Sequence, residues 1–230
     1  VVPAIEGGSG KRVGEGFGVA SNPELLREGT AVEDFLEPDK VVAGASDDRA
    51  RDALRELYEP LLKRSDADYV ETGVREAEMI KYANNAFLAS KLSVVNEIAN
   101  ICKEGGVDSY EVMEAVGIDH RISPHFMRSG LGWGGSCFPK DVDAIRSFAR
   151  DKNYETELLD AVVDVNDWQA RRAVELLARH IELDDARVAV LGLAFKPETD
   201  DIRNSRALDV IELLVERGAD VIAYDPVATE

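Results

Sequence analysis

The chain has 230 residues, with 45 Asp or Glu against 27 Lys or Arg and a formal net charge of −18. That surplus argues against nucleic acid as a partner, because phosphate backbones are met by basic surfaces. No apolar run approaches the ~20 residues of a membrane span, and Val1-Val2-Pro3-Ala4-Ile5-Glu6 has neither a basic start nor an apolar core, so a cytoplasmic protein without leader or membrane contact is expected. The two cysteines, Cys102 and Cys137, point to free thiols rather than a disulfide framework. His120, His125 and His180 are scattered and propose no metal site. Lysine supplies only 9 of the 27 basic residues, and an acidic, lysine-poor composition resembles that of proteins from salt-loving organisms, where salt screens self-repulsion.

In chain order, the glycine-rich stretch from Glu6 to Gly18 reads as a surface loop or ragged end. Phe17 to Ser21 and Lys40 to Gly44 read as short strands flanking a polar loop through Asn22-Pro23-Glu24. A helix is predicted from about Asp47 to Lys63 and a strand from Ala67 to Thr72. Alternation of this kind belongs to an α/β sheet. The expectation is a half-domain, since no strand–glycine loop–helix unit opens the chain.

From about Val74 to Glu104 the pattern is helical, with an apolar stripe of Ile80, Ala83, Phe87, Val94, Ile98 and Ile101. A helix of this length suits a connection between domains and a dimer interface. Further helices are predicted over Ser109 to Val116, Lys140 to Lys152 and Leu158 to His180, with Asp141 and Asp143 in the first turn of the second. Arg187 to Leu193 is a strand, Ser205 a cap for a helix through about Arg217, and Asp220 to Tyr224 a second strand. Another helix is due where the sequence stops, at Glu230.

Four clusters are candidates for chemistry; for the first, taken alone, a capped loop with a solvated first turn is the plainer alternative, and for the second, two exposed helix residues. Asn22 to Gly29 is a strand-end loop with two carboxylates, Glu24 and Glu28, where α/β sheets bind ligands. Lys81 and Asn85 lie one helical turn apart, and the Asn84-Asn85 pair sits inside an apolar pattern although buried amides need partners. Gly132-Trp133-Gly134-Gly135-Ser136-Cys137-Phe138-Pro139-Lys140-Asp141 places a thiol in a glycine-rich turn. Its N–H groups can face an anion, and a lysine beyond it favours the thiolate; a small buried cysteine is the plainer alternative. Gly192 to Pro197, followed by Asp200 to Ser205, is a strand, a loop with Lys196 and Arg203, and a helix start suited to phosphate. It is not a dinucleotide fingerprint. There is no G-x-G-x-x-G, and Asp225 lies 33 positions beyond Gly192 rather than about 20.

Together the clusters resemble the nucleotide-sugar 6-dehydrogenases, and within them the UDP-glucose branch. The resemblance runs from about Phe17 to Pro226 through Gly18–Glu24, Glu76–Asn85, Gly134–Asp141 and Leu191–Pro197. Ser136 before the cysteine separates the chain from the N-acetylmannosamine-type relatives, which usually carry histidine there, while GDP-mannose enzymes share the Ser-Cys pair. The resemblance implies a truncated Rossmann-like NAD-binding domain over 1–73, a central helical and dimerisation domain over 74–180, and the start of a UDP-sugar-binding Rossmann-like domain over 181–230. It implies NAD-dependent four-electron oxidation of a UDP-sugar to the uronate, through a Cys137 thiohemiacetal and thioester. Lys81 and Asn85 would stabilise oxyanions, Asp141 would fix a water or the lysine, and Glu24 would be the base for hydrolysis. Leu25, Arg121, Arg128, Gly130, Gly134, Gly135, Phe195 and Lys196 would bind the nucleotide sugar, and Glu28 and Arg203 the cofactor side. A homodimer through the central helix is implied. The isolated chain is expected to have little activity, because the main NAD-binding half is missing from it. A GDP-mannose or other nucleotide-sugar enzyme, and a non-catalytic binding or dimerisation module, are the alternative readings.

Overall fold

The computed structural model describes residues 1–228. They form two compact units, residues 1–83 and the described residues from 84 onward, and each is taken by itself.

The first unit is a three-stranded sheet in the order β1 (Ala20–Ser21), β2 (Lys40–Ala45), β3 (Asp68–Thr72). β2 runs parallel to β3, with Val42 opposite Val70, and antiparallel to the two-residue β1. Val41 to Ala45 are all buried, as a central strand covered on both faces requires. The crossover is α3 (Asp48–Leu62), whose N-cap Asp47 accepts a 2.9 Å hydrogen bond from the Ala50 N–H. Gly44 is required by packing, since a Cβ there would lie 2.5 Å from the Ala77 Cβ. Two helices depart from expectation. α1 (Val2–Ser9) replaces the predicted glycine-rich loop, because Pro3 sets its first turn and Gly10, at φ 67°, ends it. α2 (Ala31–Leu36) follows the Asn22–Gly29 loop. The strand predicted over Phe17 to Ser21 shrinks to β1.

α4 (Val74–Glu104) begins in the first unit and continues into the second. The second unit adds α5 (Ser109–Gly117), α6 (Cys137–Arg150) and α7 (Glu157–Ala178), then the parallel pair β4 (Arg187–Leu191) and β5 (Asp220–Tyr224) joined through α8 (Arg206–Glu216). One core cluster gathers Ala86, Ala89, Trp133, Val142 and Val162; another, under β4 and β5, gathers Val174, Leu183, Leu214 and Ala219. The face of α4 turned to this core is small and polar: Ala86, Ala89, Ser93, Asn96 and Ala99 are buried. The large apolar residues of the predicted stripe lie outside it, Phe87 at 78% and Ile101 at 66% exposure. α6 starts three residues earlier than predicted. Cys137 is therefore its first residue, and Asp141 and Asp143 fall beyond the first turn. Ser205 occupies the N-cap of α8, but its side chain makes no cap hydrogen bond.

Candidate active site

In the first unit, the Asn22–Gly29 loop leaves β1 and is pinned at several points. Asn22 Nδ2 donates to the Val42 carbonyl at 2.7 Å, and the Tyr58 hydroxyl donates to Asn22 Oδ1 at 2.5 Å. Asp34, in α2, accepts from the Arg27 N–H at 2.8 Å and from its guanidinium at 2.5 and 3.0 Å. Those Arg27 hydrogen bonds, with one from Thr30, hold the Asp34 carboxyl down at about 2. Between the anchors sits Glu24. Lys81 Nζ forms an ion pair with its Oε1 and donates to its carbonyl at 3.0 Å, and Glu24 Oε2 accepts from the Leu26 N–H at 2.9 Å. The Lys81 side chain is only 19% exposed. So the structure brings together two residues that lie 57 positions apart. Leu25 and Glu28 are half-buried in the same loop.

In the second unit, Cys137 is exposed and opens α6, with Ser136 Oγ 3.6 Å from its Sγ. One turn on, Asp141 is fully buried; Asn85 Nδ2 donates to its Oδ2 at 2.6 Å, and Lys140 Nζ stands 3.1 Å from its Oδ1. The glycines before the cysteine are demanded by close approach. A Cβ on Gly134 would lie 2.0 Å from the Asn204 carbonyl, and one on Gly135, at φ 76°, would lie 2.7 Å from the Phe195 ring. Gly135 N–H donates to the Arg203 carbonyl at 3.0 Å, and Asn204 Nδ2 donates to the Gly135 carbonyl at 2.9 Å. Thus the loop after β4 is laced to the segment that delivers Cys137. Lys196 Nζ lies 5.8 Å from the centroid of the Phe195 ring. Asp225 closes the same loop from beneath. Its carboxylate accepts from the N–H groups of Leu193, Ala194, Val227 and Ala228, and these bonds, that of Leu193 first, hold it well below the usual carboxylate range.

Four further predicted residues lie in the second unit. The Arg121 guanidinium is exposed and clamps Asp119 at 2.6–3.2 Å, which lowers the Asp119 carboxyl. Arg203 clamps Asp201 at 2.7–3.0 Å. Arg128 is exposed. Gly130 is held by two amides: its N–H donates to Asn96 Oδ1 and its carbonyl accepts from Gln169 Nε2, both at 2.8 Å.

Sequence reasoning missed Asn96, Asn166 and Gln169, which hold the loop before Cys137 from the helices below. The signal was available, since an amide within an apolar helical pattern needs a partner. It was applied to Asn84-Asn85 and not to the Val165-Asn166 stretch of α7. No group of three or more His, Cys, Asp or Glu among the described residues could hold a metal ion, and none of their helices is long and apolar enough to cross a membrane.

Three models of one family match the chain: the NAD binding domain of the UDP-glucose/GDP-mannose dehydrogenase family over residues 1–62, its central domain over 75–168 and its UDP binding domain over 189–230. The chain is 61% identical over 229 residues to the UDP-glucose 6-dehydrogenase AglM of Haloferax volcanii, covering 99% of this chain and 53% of that protein. It is 44% identical to the UDP-glucose 6-dehydrogenase TuaD of Bacillus subtilis, covering 92% and 45%. The solved UDP-glucose dehydrogenase of the hyperthermophilic archaeon Pyrobaculum islandicum superposes with a TM-score of 0.88 at 50% identity, over 94% of this chain and 49% of that one. The chain spans about half the length of the curated relatives it matches. With all three domain models in order and this degree of identity, the chain belongs to the UDP-glucose/GDP-mannose dehydrogenase family.

Proposed function

We propose that these residues serve the NAD-dependent oxidation of UDP-glucose to UDP-glucuronate, with Cys137 as the covalent nucleophile. The observation that carries this reading is the placement of Cys137. It is exposed at the first residue of α6, after glycines whose backbone is fixed by Arg203 and Asn204, with Asn85 and the buried Asp141 joined one turn beyond. UDP-glucose is favoured over GDP-mannose by the identity to the Haloferax and Bacillus proteins.

The helix start that follows β2 does not fit the pyrophosphate of NAD. It is filled by the chain's own Asp47 carboxylate, and no glycine fingerprint precedes it. NAD bound by a full-length protein supplies the hydride acceptor, two molecules for the two oxidations. The first oxidation turns the C6 alcohol into an aldehyde with loss of a hydride and a proton. The Cys137 thiolate then adds to the aldehyde carbon, forming an S–C bond and an oxyanion, and loss of the second hydride from that carbon leaves a thioester. Water attacks the thioester, the C–S bond breaks, and the carboxylate leaves with the thiolate restored. In this reading Lys81 and Asn85 stabilise the oxyanions, and Lys81 passes the alcohol proton. Asp141 fixes Asn85, and Glu24, held by Lys81 and the Leu26 N–H, serves as base for the attacking water. Lys196, Phe195, Arg121, Arg128, Leu25 and the backbone of Gly130, Gly134 and Gly135 take the nucleotide sugar; Glu28 and Arg203 face the cofactor. The exposed apolar stripe of α4 supports a homodimer.

The test pairs calorimetric titration of the 230-residue chain with UDP-glucose, UDP and GDP with turnover by a full-length protein carrying these residues. UDP-glucose binding, uronate formation and loss of turnover in Cys137→Ser are expected. Preference for GDP, or undiminished turnover without the thiol, would overturn the reading, and binding with no turnover at full length would favour a non-catalytic module.

A further inference from the structure

Every backbone polar group of Trp133 is taken by a side chain. Asn166 Oδ1 accepts from the Trp133 N–H at 2.6 Å, and Asn166 Nδ2 donates to the Trp133 carbonyl at 3.0 Å, so one amide brackets one residue from both sides. Asn166 is 0% exposed, in the middle of α7. Arg206 Nε, at the start of α8, donates to the same carbonyl at 3.2 Å. The indole is fixed as well: its N–H donates to Ser93 Oγ at 3.0 Å, and Ser93 in turn donates to the Val162 carbonyl at 2.8 Å. Gly132 leaves no slack beside the bracket. A Cβ there would lie 2.6 Å from Asn166 Oδ1, and its φ of 109° belongs to glycine.

The chain from Trp133 to Cys137 is short and is held again at Gly135 by Asn204 and Arg203. A five-residue segment fixed at its first and third positions has little freedom in where it sets its last. We propose that Asn166 is a positioning residue for Cys137, setting the path of the 133–137 segment and so the place of the sulfur. This rests on the reading of Cys137 as the nucleophile. The alternative, that the amide merely satisfies buried backbone groups, makes a different prediction. A lost structural contact lowers stability and acts on binding and turnover alike, whereas a displaced nucleophile lowers kcat with KM nearly kept. Misplacement by ~1 Å costs about 10²-fold in rate.

The experiment uses Asn166→Leu and Asn166→Asp. In the 230-residue chain, hydrogen exchange at the Trp133 amide is followed by mass spectrometry; in a full-length protein carrying these residues, UDP-glucose oxidation is followed against pH. Asn166→Leu should speed Trp133 exchange at least about 10-fold and lower kcat about 100-fold with KM within about 3-fold. In Asn166→Asp, the protonated carboxyl restores both hydrogen bonds, its C=O accepting and its O–H donating, while the ionised form loses the donor. The ratio of its kcat to that of the wild type should therefore rise as pH falls from about 8 to about 6, the range into which burial raises such a carboxyl. A protected Trp133 amide in Asn166→Leu, equal losses in kcat and 1/KM, or a flat ratio for Asn166→Asp would overturn the proposal. Should Asn166→Leu not fold, the pH dependence of Asn166→Asp decides alone. Cys137→Ser in the same assay tests the nucleophile separately, since Trp133 exchange reports the bracket whether or not the thiol reacts.

Discussion

Asn85 and Asp141 tie α4 to α6 by a single 2.6 Å hydrogen bond, made by a carboxylate that is wholly buried one turn beyond Cys137. The other oxygen, Oδ1, is buried too; Lys140 Nζ lies 3.1 Å away, yet no aligned hydrogen bond is made to it. One oxygen of this carboxylate is committed to Asn85, and the other faces the Lys140 ammonium. That asymmetry separates its two contributions, holding Asn85 and carrying charge.

Asp141→Asn keeps an acceptor for Asn85 and removes the charge; Asp141→Ala removes both. Loss of the acceptor leaves the Asn85 amide short of a partner, which costs about 1–3 kcal/mol. Urea unfolding should therefore rank the alanine variant below the asparagine variant by about that amount. Both should lose turnover at full length, about 10²-fold or more where oxyanion stabilisation fails. Equal stabilities for the two variants would show that the Asn85 bond contributes nothing.

Gly134 and Gly130 differ in what surrounds them, and alanine should tell them apart. A Cβ at Gly134 meets the Asn204 carbonyl at 2.0 Å, a backbone atom that cannot swing away, whereas nothing lies within 4 Å of a Cβ at Gly130. Gly134→Ala must push apart the loop after β4 and the segment before Cys137, at a cost of about 1–3 kcal/mol or more. Gly130→Ala should change the urea midpoint little. The comparison is made on the 230-residue chain, and similar losses at both positions would contradict the close approach.

Acid should weaken the hold of Asp34 on the Asn22–Gly29 loop. Asp34 has its carboxyl lowered from 3.8 to about 2 in the folded chain. A lowered folded value means that the unfolded chain takes up the proton first. The stabilising contribution is present above about pH 4 and is lost as pH falls towards 2. Asp34→Asn should flatten the fall of stability in that window relative to the wild type, and should raise exchange at the Arg27 amide at neutral pH. The residual acid sensitivity of the variant belongs in part to Asp47 and Asp225, whose carboxyls are also lowered, each by backbone N–H donors first.

Local patterns made the α/β alternation legible. β2 is an apolar run, α3 begins at a capping aspartate, and β4 and β5 stand out as short, largely apolar segments around a helix. The glycine run before Cys137 likewise carried its meaning in the sequence, because only close approach or positive φ requires so many glycines. What could not be read was which face of α4 enters the core. Periodicity weights large apolar residues, so Phe87, Val94, Ile98 and Ile101 stood out, while the buried face is built from alanine, serine and asparagine that allow α4 and α7 to approach closely. The pairing of Lys81 with Glu24, and of Asn166 with Trp133, depends on tertiary placement that no spacing reports.

The exposed stripe on α4 then yields a prediction about assembly. Phe87, Val94, Ile98 and Ile101 recur at helical spacing and are 78%, 51%, 36% and 66% exposed. A continuous apolar face of that kind is normally covered, and a second copy of the same helix meets it with the same residues, as a two-fold interface requires. Each copy carries a formal charge of −18, so association works against repulsion that salt screens. Sedimentation of the 230-residue chain should show a dimer that tightens as salt is raised from about 0.1 to about 1 M. Phe87→Asp or Ile101→Asp should shift it to monomer, because an unpaired charge buried in an apolar contact is costly. These side chains are exposed in the single copy, so the variants should keep the unfolding midpoint of the monomer. A wild-type chain that remains monomeric at every salt concentration would sink the idea that α4 carries the interface.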